Sequence, residues 1–210
     1  MSSSMYHQII TNLRQSYDRT AKERDQGGIA PWKIEERAHF LALLRQEGKR
    51  DLLEIGAGPG QHGKFFQDNG LSVVCIDLSP EMVRLCRAKG LTAHVMDFLN
   101  LDFPEHSFDA IYALNCLLHV PKKDLRKVLQ ALRALLQPAG LFYLGLYGGK
   151  DYEGVFPDDH HEPRGFFSFH TDEQIRQVVM EFFELLTFKA IRPEGDDEFH
   201  FQSLILRRNP

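Results

Sequence analysis

Cysteine is scarce and scattered. Cys75, Cys86 and Cys116 are the whole complement of 210 residues, each among apolar neighbours and none in a CxxC spacing. An odd, unpaired set argues against a disulfide framework or a zinc site and fits small buried thiols in a reducing compartment. No apolar run approaches the length of a membrane span. The opening Met1-Ser-Ser-Ser-Met-Tyr-His has neither the basic nor the apolar region of a secretion signal. The cytoplasm is therefore the expected compartment, with no membrane partner. Basic excess is also missing: 25 Lys and Arg stand against 29 Asp and Glu, so no global field draws in nucleic acid or an anionic surface. The local cluster Lys122, Lys123, Arg126 and Lys127 alternates with apolar residues and reads as the solvated face of a helix. There is no internal repeat and no low-complexity tract.

What is present is alternation. Apolar runs at 51–55, 72–76, 92–96, 108–113 and 141–147 are nearly continuous, as strands covered on both faces require. Helical segments separate them. Ser79 is placed to cap a helix with Pro80 at its first position and Met82, Val83 and Leu85 behind it. Over 122–136, Leu125, Val128, Leu129, Leu132, Leu135 and Leu136 recur at helical spacing, and Pro138 and Gly140 then end the helix. This repetition predicts an α/β fold: a parallel sheet with right-handed crossovers and helices on both faces. Helices are also predicted over 3–18 and 33–47. Residues 148–168 read as a long loop. Thr171 and Gln174 make a capping box ahead of Ile175, Val178, Val179 and Phe182. Two β-rich runs, 184–191 and 199–206, joined through Pro193-Glu-Gly-Asp-Asp, predict a closing antiparallel hairpin. The length suits one domain over 1–210.

The chemistry is carried by Leu52-Leu-Glu-Ile-Gly56-Ala-Gly58-Pro-Gly60, between a predicted strand and a predicted helix over 61–69. Glycines there let the backbone turn sharply and approach a ligand, and the helix start offers unpaired N–H groups. A dinucleotide fingerprint needs G-x-G-x-x-G, but Gln61 occupies its last glycine position and Gly60 falls one residue early.

The spacing G-x-G-x-G, preceded by Glu54, resembles motif I of the class I S-adenosylmethionine-dependent methyltransferases. Asp77, followed by Leu78-Ser-Pro-Glu-Met82, Asp97, followed by Phe98, and Phe108-Asp-Ala-Ile-Tyr-Ala-Leu-Asn-Cys-Leu-Leu-His119 resemble the family's later motifs in order. The resemblance covers roughly residues 50–147. It implies a doubly wound, Rossmann-like, seven-stranded sheet, mostly parallel with one antiparallel strand. It further implies N-terminal helices over 1–48 that cap the cofactor, a cofactor-binding core over 49–147, and an acceptor-side loop, helix and hairpin over 148–210. S-adenosylmethionine is the implied cofactor. Its implied contacts are Glu54, Gly56, Ala57, Gly58, Gly60, Asp77 on the ribose, Leu78, Met82, Asp97 on the adenine, Phe98, Leu114 and Asn115. Tyr17 resembles the family's N-terminal Tyr, which folds over the methionine end; an ordinary surface or core tyrosine is the alternative. For Met82 as an adenine-packing residue, the alternative is helix core. By the charge-assisted bonds it makes to the ribose, Asp77→Ala is expected to weaken cofactor binding by roughly ten- to a hundredfold, with little loss of fold.

His119 follows motif IV, at a lip where a general base can sit; a structural histidine is the alternative. Trp32, Phe156, Arg164, Phe167 and His170 are the candidate acceptor wall, with the 148–169 segment closing as a lid. The alternative is that its aromatic rings only pack the start of the following helix. Asp158-Asp-His-His-Glu162 offers metal-type ligands, but neighbours in a loop do not converge on one ion, and no metal is expected. Residues 115–118, Asn115-Cys-Leu-Leu, stand where amine-methylating nucleic-acid enzymes carry an Asn/Asp-Pro-Pro-aromatic motif. With the acidic balance this points to a small-molecule acceptor. Two other functions remain: a non-catalytic cofactor-binding module serving a protein partner, and a nicotinamide-dependent oxidoreductase, which the glycine spacing disfavours. The oligomeric state has no signal in the sequence.

Overall fold

A computed structural model describes residues 3–157, 159, 162–192 and 199–209. Two helices come first, α1 (Ser3–Gln26) and α2 (Pro31–Gln46). Strands and helices then alternate as β1 (Asp51–Ile55), α3 (Gln61–Asp68), β2 (Ser72–Asp77), α4 (Pro80–Ala88), β3 (Thr92–Val95), β4 (Phe108–Leu114), α5 (Lys122–Leu135) and β5 (Leu136–Gly148). A hairpin, β6 (Tyr152–Val155) and β7 (Phe166–Phe169), precedes α6 (Asp172–Met180) and the last strands β8 (Glu184–Ile191) and β9 (His200–Arg207). The main sheet runs β3-β2-β1-β4-β5-β9-β8. Its first five strands pair in parallel, and β9 runs antiparallel to both neighbours, as expected.

Strand residues alternate between two apolar layers, which explains why the runs are apolar throughout. Leu53, Ile111 and Phe142 face α5 and α6. Their neighbours Leu52, Tyr112 and Tyr143 face α2, α3 and α4. From β1 the chain winds outward to β3, then crosses to β4 on the other side. The switch point therefore lies between β1 and β4, and a crevice opens beyond their carboxyl ends.

Both expected caps form. Ser79 Oγ accepts from the Met82 N–H at 3.1 Å, and Thr171 with Gln174 closes a capping box. Three expectations are corrected. Helix α1 runs on to Gln26 rather than ending near 18. Leu136 belongs to β5, because the chain turns extended at the end of α5 two residues before Pro138. The 148–168 loop contains the β6–β7 hairpin, whose four-residue strands were hidden among Gly and Pro. The Pro193–Asp197 link and most of the Asp158–Glu162 cluster lie outside the described residues. Among the described residues no helix is long and apolar enough to cross a membrane, and no cluster of ligands suits a metal ion.

Candidate functional site

A cavity of about 410 Å³ fills the crevice at the switch point. The ends of four strands build its floor: Gly56, Ala57 and Gly58 after β1, Asp77 and Leu78 at β2, Met96, Asp97 and Phe98 after β3, and Leu114, Asn115 and Cys116 at β4.

The two inner glycines do different work. Both have positive φ, +61° at Gly56 and +55° at Gly58. A Cβ on Gly56 would sit 2.3 Å from the Cys116 Cβ, so that position is closed by packing. A Cβ on Gly58 would meet nothing within 4 Å. Gly58 thus leaves its space open on the cavity side, where a ligand can approach the backbone.

Asp77 is 8% exposed, and it accepts from the Gly58 N–H at 2.8 Å and the Ser79 N–H at 2.9 Å. Burial raises its pKa, and those donors oppose the rise. The carboxylate therefore fixes the glycine turn besides facing the cavity. Its removal would strand both N–H groups, which argues against the expectation that it would spare the fold. Asp97 accepts from the Leu99 N–H at 3.0 Å, the Asn100 side chain at 3.0 Å and the Tyr6 hydroxyl at 2.5 Å.

Beneath the loop, Glu54 accepts from the Cys75 thiol at 3.4 Å, and burial pushes its carboxyl up to about 8. His62 is held neutral by burial, down to about 3, and its Nδ1 has no hydrogen-bond partner among the described residues. Asn115 Oδ1 is likewise buried and unpartnered. Both residues line the cavity, although these two atoms are themselves shielded from it.

His119 ends a short 3₁₀ turn after β4 and also lines the cavity. Its Nδ1 lies 2.8 Å from the Phe166 carbonyl of β7, which can only accept, so Nδ1 carries the proton. Its Nε2 lies 2.8 Å from the Tyr17 hydroxyl and is the acceptor of that bond. Burial lowers the His119 pKa to about 4 and raises that of Tyr17 to about 12.

Helix α1 covers the cavity. Tyr6, Ile10, Leu13, Tyr17 and Arg24 line it from above, with Gly27, Ile29 and Lys33 closing one end. Asp18 accepts from Ser79 Oγ at 2.5 Å, and Ile9 and Leu13 pack on Phe166. The resemblance implied a cover by the helices over 1–48, but of the residues that make it only Tyr17 was named, because an amphipathic helix shows a buried face but not which side chains will meet across a cavity.

Of the expected cofactor residues, Tyr17, Glu54, Gly56, Ala57, Gly58, Asp77, Leu78, Met82, Asp97, Phe98, Leu114 and Asn115 all line this cavity, as does His119. Gly60 lies outside its lining, with its Cβ direction closed by Leu91 and Cys86. The five residues expected on the acceptor wall do not line it either. Trp32 packs on Phe201, with ring centroids 4.5 Å apart. Phe156 and Phe167 belong to an aromatic cluster with Tyr152, Phe169 and Phe199. Phe167 also packs on the His119 ring, at 4.8 Å. His170 is buried, and Arg164 is exposed beside Glu162. The hairpin thus packs behind the histidine, and α1 forms the cover.

Residues 52–140 match the family model of the methyltransferase domain. The ubiquinone biosynthesis O-methyltransferase of Xanthomonas axonopodis pv. citri is 28% identical over 135 residues, covering 61% of this chain and 54% of that protein. Its counterpart in Xanthomonas campestris pv. campestris is 31% identical over 155 residues, covering 68% and 62%. The chain thus spans about half to three-fifths of the length of these curated relatives. Among solved structures, the 1,6-didemethyltoxoflavin-N1-methyltransferase of Burkholderia thailandensis, with 1,6-didemethyltoxoflavin and S-adenosylhomocysteine bound, has a TM-score of 0.74. It is 18% identical over 100% of this chain and 92% of its own, a likeness of fold.

Proposed function

We propose that this chain, which belongs through residues 52–140 to the class I S-adenosylmethionine-dependent methyltransferases, binds S-adenosylmethionine in the cavity at its switch point and methylates a small-molecule acceptor. The observation that carries the reading is the meeting of Gly58, Asp77 and Asp97 in one cavity. The donor set fits the cofactor. The free space at Gly58 admits a ligand against the backbone. Asp77 accepts from the two ribose hydroxyls with its remaining lone pairs. Asp97 accepts from the adenine amine, with Met82, Met96 and Phe98 around the ring. When bound, the cofactor supplies a sulfonium-activated methyl group for in-line displacement. The chain orients the two reactants and excludes water, which can supply much of the rate.

In this reading residues 49–147 hold the cofactor and 1–48 cover it. Residues 148–210 contribute through β7, which fixes His119. The three cysteines are all free and buried, which supports a cytoplasmic setting.

Thermal melting with S-adenosylhomocysteine tests cofactor binding. At a hundredfold excess over its Kd, a ligand stabilises by about 2.7 kcal/mol, or roughly 5–10 °C at this size. A shift with NAD instead would overturn the reading in favour of an oxidoreductase. Transfer of labelled methyl across a metabolite extract, read by mass spectrometry, tests turnover; binding without any labelled product leaves a non-catalytic module.

A further inference from the structure

His119 and Tyr17 come from opposite walls of the same cavity, one on the 3₁₀ turn after β4 and one on the covering helix, and their side chains meet at 2.8 Å. The Phe166 carbonyl fixes the direction of that bond. It takes the Nδ1 proton, leaving Nε2 as a lone pair, so the Tyr17 hydroxyl donates to it. The hydroxyl oxygen keeps its own lone pairs for a donor in the cavity.

We propose that Tyr17 is a catalytic residue of the proposed transfer. Its hydroxyl relays a proton from an acceptor hydroxyl or ring N–H to Nε2 of His119. The inference rests on the methyltransferase reading above. The acceptor's proton passes to the Tyr17 oxygen as the tyrosine's own proton passes to Nε2. In balance, the acceptor gains a methyl and loses a proton, the carbon–sulfur bond breaks with its electron pair left on sulfur, and the proton remains as Nε2–H of an imidazolium. The acceptor class follows: the attacking atom bears a weakly acidic proton. An amine already free of its proton, or a thiolate, would not need the relay. The charged and titratable groups around the pair are Arg24 on α1, whose guanidinium lies 4.7 Å from the Tyr17 ring, Asp159 in the β6–β7 connection, and Asp77 and Cys116 below.

The test has two readouts on the full chain. By ¹⁵N NMR with S-adenosylhomocysteine bound, His119 should be neutral and protonated on Nδ1 from pH 8 down to pH 5. Tyr17→Phe should move the Nε2 resonance without changing the tautomer. An Nε2–H tautomer overturns the relay. Labelled methyl transfer is then followed on the extract fraction that yields product. Tyr17→Phe and His119→Gln should each slow turnover by about a hundredfold at pH 6.5. Affinity for S-adenosylhomocysteine should stay within threefold of wild type (on the order of 0.6 kcal/mol or less). The deficit should shrink as pH rises and the acceptor ionises by itself. The double variant should be no slower than His119→Gln alone, since the two act as one path. If Tyr17 only latches α1, Tyr17→Phe weakens cofactor binding and leaves the pH profile unchanged, and the relay is wrong. Should His119→Gln fail to fold, Tyr17→Phe still decides. Labelled product formed with an unchanged rate or pH profile in Tyr17→Phe removes the relay alone; binding without labelled product from any fraction removes turnover and the relay together, and absence of binding removes the whole reading.

Discussion

Gly56 and Gly58 are two residues apart and share a left-handed backbone, yet their surroundings separate their roles. Left-handed strain costs a non-glycine residue about 1–3 kcal/mol. Gly56→Ala adds a clash with the Cys116 Cβ and should lower melting markedly, while Gly58→Ala should pay little beyond the strain. The Gly58 methyl instead projects into open space, so it should weaken S-adenosylhomocysteine binding more than it weakens the fold. Calorimetry and melting on both variants check this; equal losses in both properties would contradict the assignment. Asp77 carries both roles at once. Asp77→Ala strands the Gly58 and Ser79 N–H groups, at about 1–3 kcal/mol each. Asp77→Asn keeps one acceptor and should separate the effects: a smaller melting loss, with binding still weakened roughly ten- to a hundredfold. Unchanged affinity in folded Asp77→Asn would rule out the ribose contact.

Helix α1 is long, but its buried apolar anchor is small: Ile9 and Leu13 against Phe166, with Ala21 further along. The sheet and its flanking helices share far larger clusters. Local opening follows apolar burial, so α1 should exchange its amides well before β1, β4 and β5, and bound S-adenosylhomocysteine should slow that exchange. Uniform protection across α1 and the sheet would count against a cover that opens. The β6–β7 hairpin is the opposite case. Phe156 and Phe167 pack within a five-ring cluster, and Phe167 supports His119. Emptying a fully buried Phe site costs about 3–5 kcal/mol, so the double change Phe156→Ala with Phe167→Ala should lower melting on the order of 10 °C even for half-buried rings. Near-normal melting with lost turnover would instead restore the hairpin as a lid.

Across the whole molecule, buried titratable groups set the pH response. His62, His119 and His170 are pushed by burial to about 3, 4 and 4, below the ordinary 6.5. Between those values the unfolded chain binds more protons, so stability falls as pH drops below about 6.5. Glu54 is raised from 4.5 to about 8, so over that window the folded chain binds more protons and stability falls as pH rises. Three groups outweigh one below pH 6.5, and Glu54 acts alone above it. Melting temperature should therefore peak near neutrality and decline toward pH 8, and Glu54→Gln should flatten that decline. A melting curve still rising through pH 8 would show that Glu54 is ionised in the fold.

The amino-acid sequence by itself determined the alternation of strands and helices, because a strand buried on both faces must be apolar throughout and an amphipathic helix must repeat near 3.6. It also determined the switch-point turn and the residues on the strand ends, Gly58, Asp77, Asp97 and Asn115, because those sit at fixed offsets from the strands that carry them. Local chemistry likewise marked the caps at Ser79 and Thr171. What only the tertiary structure decided was which side chains meet across the crevice. Tyr6 reaches Asp97 over a separation of 91 residues, Tyr17 reaches His119 over 102, and Phe166 fixes the histidine tautomer from a hairpin that its sequence presents as a loop. Such contacts leave no periodicity in the chain: they arise from the docking of α1 and β7 over the cavity, a matter of packing between surfaces that the sequence describes one at a time.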